Sequence, residues 1–200
     1  MPKQAAVLTA SEFKRLLAVT AASPFAKRDT LLVLMSFGLG LRAIELAALK
    51  IHQVINDQGK VKDVLYLTKT KGDEPREAYL TEPKIRKAIE EYINERQQIA
   101  IERRKFYHPK QPLFLSQKND HFSNKTLSKR FSFLYKEAGI ERASSHSGRR
   151  TFATNLIEKG VDIKAVSTLM GHASIQMTAL YVQDNPERLK KITSQALSFI

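Results

Sequence analysis

Residues 145–182 read SHSGRRTFATNLIEKGVDIKAVSTLMGHASIQMTALYV, and the spacing of this stretch sets both the fold and the chemistry to be expected. Ser145 is placed to cap a helix that carries His146 and Arg149 in its first turn and runs to Gly160. Asp162 to Met170 forms a second amphipathic helix, closed by Gly171, and Ser174 to Tyr181 a third. One segment thereby gathers an arginine, two histidines and a tyrosine, with Tyr181 nine residues after His172. Fixed cations, proton carriers and one phenol make a poor metal site or acyl-transfer site. They suit attack by a tyrosine on a phosphodiester.

Upstream, the helical period continues. Thr9-Ala-Ser-Glu12 reads as a capping box opening a helix through about Thr20, with Phe13, Leu16 and Leu17 on one face. A second helix begins near Pro24 or Ala26, runs through Leu31 to Phe37 and is broken by Gly38 and Gly40. Arg42 starts a short third helix containing Ile44, Leu46 and Leu49. Between Ile51 and Leu80 the period changes to two, giving strands over Val64–Thr68 and Arg76–Leu80 around a turn with Gly72, Asp73 and Pro75. Pro83 opens a helix reaching Arg103, with Ile85, Ile89, Tyr92 and Ile93 inward. Periodicity leaves Leu113-Phe-Leu115 open between element types. Ser123 opens a helix ending at Gly139, and Pro186 opens a C-terminal one over 186–200. The expectation is a single, mainly helical domain over 1–200 with a small antiparallel β-sheet, an α+β architecture.

Composition bounds the function. At 42% hydrophobic, the 200-residue chain can bury one ordinary core. A formal net charge of +13 favours a polyanionic partner, most simply nucleic acid. The basic residues are scattered and form no polybasic tail, which places a membrane surface lower. The absence of cysteine removes disulfides and thiolate zinc sites. No apolar run approaches the roughly 20 residues of a membrane span, and the N-terminus lacks a signal-peptide pattern, so a cytoplasmic location is expected.

Singly, each chemical residue has two readings. Arg42, at a helix start, either pairs with Glu45 three residues on or joins the backbone N–H groups in holding a phosphate. His146 and Arg149 either line a solvated face or point together into a site. His172 after a glycine either caps, packs or binds, and Tyr181 either joins the core beside Leu180 and Val182 or attacks.

Taken together, Gly40-Leu-Arg42-x-x-Glu45-Leu, Lys71-Gly72 in a hairpin, His146-x-x-Arg149, Leu169-Met-Gly-His172 and Thr178-x-x-Tyr181 resemble the catalytic domain of the tyrosine recombinases, the phage-integrase family. The resemblance covers nearly the whole chain. It implies the DNA breaking-rejoining fold and a site-specific recombinase that needs neither metal, cofactor nor ATP. Arg42 and Arg149 would clamp the scissile phosphate, and Tyr181 would attack phosphorus to give a 3′-phosphotyrosyl link. Lys71 would protonate the leaving 5′ oxygen, with Lys69 on the same strand face as runner-up. His146 would act as acid and base at the tyrosyl oxygen, His172 would bond the phosphate, and Glu45 would orient the arginine or its helix. Double-stranded DNA would be the partner, with a homo-oligomer at paired sites, a tetramer by resemblance, and accessory DNA-bending proteins. The C-terminal helix could dock on a neighbouring protomer or pack in cis. A bacterial, plasmid or phage origin goes with the resemblance.

Two departures stand out. Where the family often has Leu-Arg-His, this chain has Gly148-Arg149-Arg150, and Arg150 becomes a further phosphate-contact candidate. Many relatives also carry an N-terminal helical domain that closes over DNA, whereas this chain begins near the catalytic domain and resembles the short type that includes fimbrial-switch invertases. Lys69, Lys125, Lys129 and Arg130 are DNA-contact candidates beside a plain solvated face. Asp162–Met170 and the next helix could instead read as a helix-turn-helix. The remaining functional alternatives are a type IB topoisomerase-like relaxase and a DNA-binding accessory protein with a vestigial site.

Overall fold

The computed structural model describes residues 5–68, 75–117 and 120–181. The element order is α1 (Ala10–Ala21), α2 (Ala26–Leu39), α3 (Ala43–Ala48), α4 (Ile51–Val54), β1 (Val64–Leu67), β2 (Arg76–Tyr79), α5 (Pro83–Glu102), α6 (Asn124–Glu137), α7 (Ser147–Glu158), α8 (Ile163–Met170) and α9 (Ile175–Ala179). The expected α+β architecture is present: helices pack around a two-stranded antiparallel sheet. No helix among the described residues is long and apolar enough to cross a membrane.

Helix α1 starts where its capping box requires. The Thr9 hydroxyl accepts from the Glu12 N–H at 3.3 Å, while the Glu12 carboxylate accepts from the Thr9 N–H at 2.8 Å. Helix α2 is the centre of the fold, because its apolar residues are not confined to one stripe. Leu31, Leu32, Val33 and Met35 are all fully buried, which only a helix flanked on several sides can achieve. It packs against α1, α5 and α7. Its buried Asp29 accepts from Arg28 Nε and Nη2, from the Ser23 hydroxyl and from Arg130, so the carboxylate is fully engaged.

The sheet follows its alternation. Register pairs Val64 with Tyr79, Leu65 with Ala78, Tyr66 with Glu77 and Leu67 with Arg76. Leu65, Leu67, Arg76 and Ala78 face inward; Tyr66, Glu77 and Tyr79 face out. Each strand is one residue shorter than its pattern predicts, and β2 turns an arginine toward the core.

Several boundaries differ from expectation. Helix α2 continues through Gly38 to Leu39, α3 stops at Ala48 before Leu49, and α9 ends at Ala179, short of Tyr181. Helix α4, a single turn, occupies residues assigned to the period-two region; its apolar Ile51 and Val54 are three apart and both buried, a spacing that also fits one helical turn. Leu113 and Phe114 are buried in irregular chain flanked by isolated bridges from Pro112 to Lys50 and Leu115 to His121. Helix α7 begins one residue late, with His146 and not Ser145 as its flanking residue. There the serines close their own turn: the Ser144 N–H donates to Ser147 Oγ at 3.0 Å, and the His146 N–H to Ser144 Oγ at 3.3 Å. The expected C-terminal helix over 186–200 lies outside the described residues.

The α2–α7 crossing also explains one departure from the family pattern. A Cβ on Gly148 would sit 2.2 Å from Ser36 Oγ and 2.9 Å from Phe37 Cδ2, so a leucine has no room at this position. Gly148→Ala is expected to destabilise the fold by about 1–3 kcal/mol through overpacking. Urea unfolding checks this, and an unchanged midpoint would show that α2 and α7 separate freely.

Candidate active site

Gly40 ends α2 in the left-handed conformation (φ 62°), and a Cβ there would meet the Phe152 ring at 2.7 Å. Glycine alone allows this close, reversed turn. The turn exposes the Gly40 carbonyl to incoming side chains and directs the chain into α3 with Arg42 as its flanking residue. Glu45, in the first turn of α3 and 6% exposed, accepts the Arg42 N–H at 2.7 Å and Arg42 Nη1 at 3.4 Å. The predicted Arg42–Glu45 pair is therefore real.

Arg149 enters from α7. It is 2% exposed, with Nη1 donating to the Gly40 carbonyl at 2.8 Å and Nη2 to the Met170 carbonyl. Burial lowers its guanidinium to about 9, with Arg42 and then Arg76 adding repulsion, and Glu45 and Tyr181 acting the other way. It remains charged at neutral pH. These influences place two further arginines, the carboxylate and the tyrosine around Arg149. His146 is exposed at the mouth of α7, yet its surroundings are crowded. Desolvation, followed by the Arg42 and Arg149 charges, holds its pKa below the ordinary histidine value.

The third side of the site comes from α8 and α9. Helix α8 closes at Gly171, again left-handed (φ 62°), and this turn presents His172. His172 Nδ1 lies 2.8 Å from the hydroxyl of the fully buried Thr178, which fixes the ring. Tyr181 stacks on that ring with centroids 5.9 Å apart and an interplanar angle of 12°, and packs against the small cluster of Ala153, Ile157, Val166 and Met170. The structure thus brings together Arg42, Glu45, His146, Arg149, His172 and Tyr181, from four separate segments. Lys69 and Lys71 lie outside the described residues.

Arg76 is a site residue the sequence reading missed. It is 8% exposed, with Nη2 3.1 Å from Glu45 Oε2 and 3.3 Å from the Gly40 carbonyl, and Nη1 2.6 Å from the Leu169 carbonyl. The signal was available: an arginine at an inward position of an alternating strand must find buried acceptors.

The DNA-contact candidates divide. Lys125 and Lys129 are exposed on α6. Arg130, expected beside them, instead turns to Asp29 and Ser23, because an uncompensated carboxylate in α2 would be costly to bury. Arg150 is likewise not on an open surface. It is 9% exposed, on the α7 face that buries Ala153 and Ile157, and its Nε has no hydrogen-bond partner among the described residues. Val166, Ser167 and Met170 of α8 are buried, so that face of the helix packs inward as expected, while Lys164, Ala165 and Thr168 are exposed.

Two arginines, a carboxylate bonded to one of them, two histidines and a phenol are thus gathered on one helical scaffold. The phage integrase family model matches residues 6–188, and the chain belongs to that family. The "Tyrosine recombinase XerA" of Thermococcus kodakarensis is 35% identical over 193 residues, covering 94% of this chain and 62% of the relative. The "Tyrosine recombinase XerC" of a Shewanella species (strain ANA-3) is 29% identical, covering 98% and 62%. The crystal structure of a XerA recombinase superposes with a TM-score of 0.77 at 26% identity, covering 98% of this chain and 67% of that one. A XerH recombinase in a post-cleavage complex with a palindromic difH substrate shares the fold, with a TM-score of 0.72 at 24% identity over 94% of this chain. The chain spans a little over three-fifths of the length of the curated relatives it matches.

Proposed function

We propose that this chain is the catalytic domain of a site-specific DNA recombinase that cleaves and rejoins strands through a 3′-phosphotyrosyl intermediate. The observation that carries the reading is the environment of Arg149, where Arg42, Glu45 and the nucleophile candidate Tyr181 act on one buried guanidinium. Double-stranded DNA is the substrate, in keeping with the net charge of +13 and with the DNA complex formed by XerH. A homo-oligomer at paired sites carries out the exchange.

The Tyr181 oxygen attacks the scissile phosphorus, its proton passing to His146, as the bond from phosphorus to the 5′ oxygen breaks. Lys71 supplies the proton that the departing 5′ oxygen takes up. Arg42 and Arg149 hold the non-bridging oxygens and stabilise the charge that builds on them, with His172 adding a donor through Nε2. The phosphotyrosyl bond retains the phosphodiester's energy, so the reverse attack by a 5′ hydroxyl rejoins strands without ATP. No step needs a divalent ion, since fixed cations do the charge work.

The direct test is incubation with a nicked duplex bearing the target site, in chelator, followed by a denaturing gel. A covalent protein–DNA adduct is expected. Cleavage that leaves no protein attached would remove the covalent mechanism. Lys71 has its own test: with a 5′-bridging sulfur, whose departure needs no proton, Lys71→Ala should recover cleavage far better than Arg42→Ala. Absence of recovery moves the proton donor to Lys69 or elsewhere.

The lowered pKa of His146 has a kinetic consequence. A depressed value keeps the ring neutral at pH 7 and ready to accept the tyrosyl proton. Cleavage should therefore stay level through neutrality and fall only as the pH drops below the ordinary histidine value of about 6.5. His146→Gln, which cannot titrate, should lower the plateau and abolish that acid limb. An unchanged limb in the variant would assign it to another group.

A further inference from the structure

Three cations surround one carboxylate in this site, and only two of them have a part in the chemistry proposed above. Glu45 is shared: Oε2 accepts from Arg76 at 3.1 Å and from the Arg42 N–H at 2.7 Å, while Oε1 accepts from Arg42 Nη1 at 3.4 Å. The Gly40 carbonyl is shared too, by Arg76 at 3.3 Å and Arg149 at 2.8 Å. The last carbonyls of α8 divide between the same two side chains, Leu169 to Arg76 and Met170 to Arg149. Arg76 thus touches two groups that hold the other two guanidiniums, Glu45 and the Gly40 carbonyl, and it does so from a different element, β2.

We propose that Arg76 is a positioning residue for the phosphate clamp, acting through Glu45 and the Gly40 carbonyl. The inference rests on the reading of Arg42 and Arg149 as that clamp. Arg76 holds Glu45 Oε2 from the buried side and so fixes the carboxylate that accepts from the Arg42 N–H and Nη1. Without Arg76 the carboxylate loses that anchor, and the Arg42 fork shifts with it. Arg76 also bonds the carbonyl that holds Arg149, fixing the angle at which that fork meets the same phosphate. A planar guanidinium reaches three acceptors on different elements at once; a lysine ammonium, a single point at the end of a flexible stem, does not.

The experiment compares wild type, Arg76→Lys and Arg76→Gln, the first keeping the charge and the second a donor, so that folding survives in at least one. Adduct formation is measured in single turnover on three nicked duplexes: the natural phosphodiester, one with a 5′-bridging sulfur, and one with a methylphosphonate at the scissile position. Losing an orienting partner should slow cleavage of the phosphodiester by about 10- to 100-fold, with affinity for uncleaved DNA unchanged. The deficit should persist with sulfur, because the leaving group is not at fault. It should shrink to a few-fold on the methylphosphonate, which lacks the anionic oxygen that the clamp must hold. An equal deficit on all three substrates, a recovery with sulfur, or variants as fast as wild type would each overturn the proposal. Failure of the underlying reading looks different: wild type itself would give no Tyr181-dependent adduct.

Discussion

Tyr181→Phe should abolish the covalent adduct while leaving the protein as stable as wild type. The substitution removes one oxygen and nothing else. The ring keeps its stack on His172 and its packing against Ala153, Ile157, Val166 and Met170, so the melting temperature should move by no more than about 2 °C. Cleavage should fall by at least about 10⁴-fold, because losing a nucleophile cannot be offset by the groups that activate it. DNA binding should persist, which separates a chemical defect from a folding one. If the variant formed adduct at the wild-type rate, the nucleophile would have to be another phenol. Tyr66 and Tyr79, exposed on the outer face of the sheet, would then be examined next.

Arg149→Ala should be the most damaging change among the cations, and unlike the tyrosine variant it should cost stability as well. Its fork is the donor to the Met170 carbonyl and the shorter of two donors to Gly40. Removing it leaves buried acceptors unsatisfied, a loss of about 1–3 kcal/mol, moderated by the relief of repulsion from Arg42 and Arg76. Removing a donor aimed at developing charge should slow cleavage by a further factor of about 10²–10³. Arg149→Lys separates the two effects: it keeps the charge but not the fork, so it should recover some stability and little cleavage. Urea midpoints and single-turnover adduct rates give both numbers. A lysine variant cleaving near the wild-type rate would show that charge alone suffices.

Much of this architecture was legible because local chemistry decides it. The Thr9 capping box, the breaks at Gly40 and Gly171 and the alternation of β1 and β2 depend on residues a few positions apart, and all appear in the structure. Helix α4 was missed because a four-residue turn is too short for its period to be told from a strand's. The start of α7 shifted by one residue because Ser144 and Ser147 hydroxyls compete with Ser145 for the cap.

The chemical groups were legible for a different reason. Arg42, His146, Arg149, His172 and Tyr181 stand in the order and spacing that carry the resemblance to the family, so their identities could be read from the chain. Their arrangement is not. A helix or strand tells each side chain which of its neighbours it shares a face with; which face becomes interior depends on what distant segments bring against it. Arg76 read as a plain strand residue and Arg130 and Arg150 as DNA-contact candidates, and packing by α2, α3 and the α7–α8 cluster turned each of them inward. For Arg76 the acceptors come from residues 36, 31 and 93 positions away. The sequence by itself determined which residues resemble the family's chemical set, and tertiary structure alone decided that a third arginine stands behind two of them, because a buried carboxylate and two helix-end carbonyls had to be satisfied at the same point.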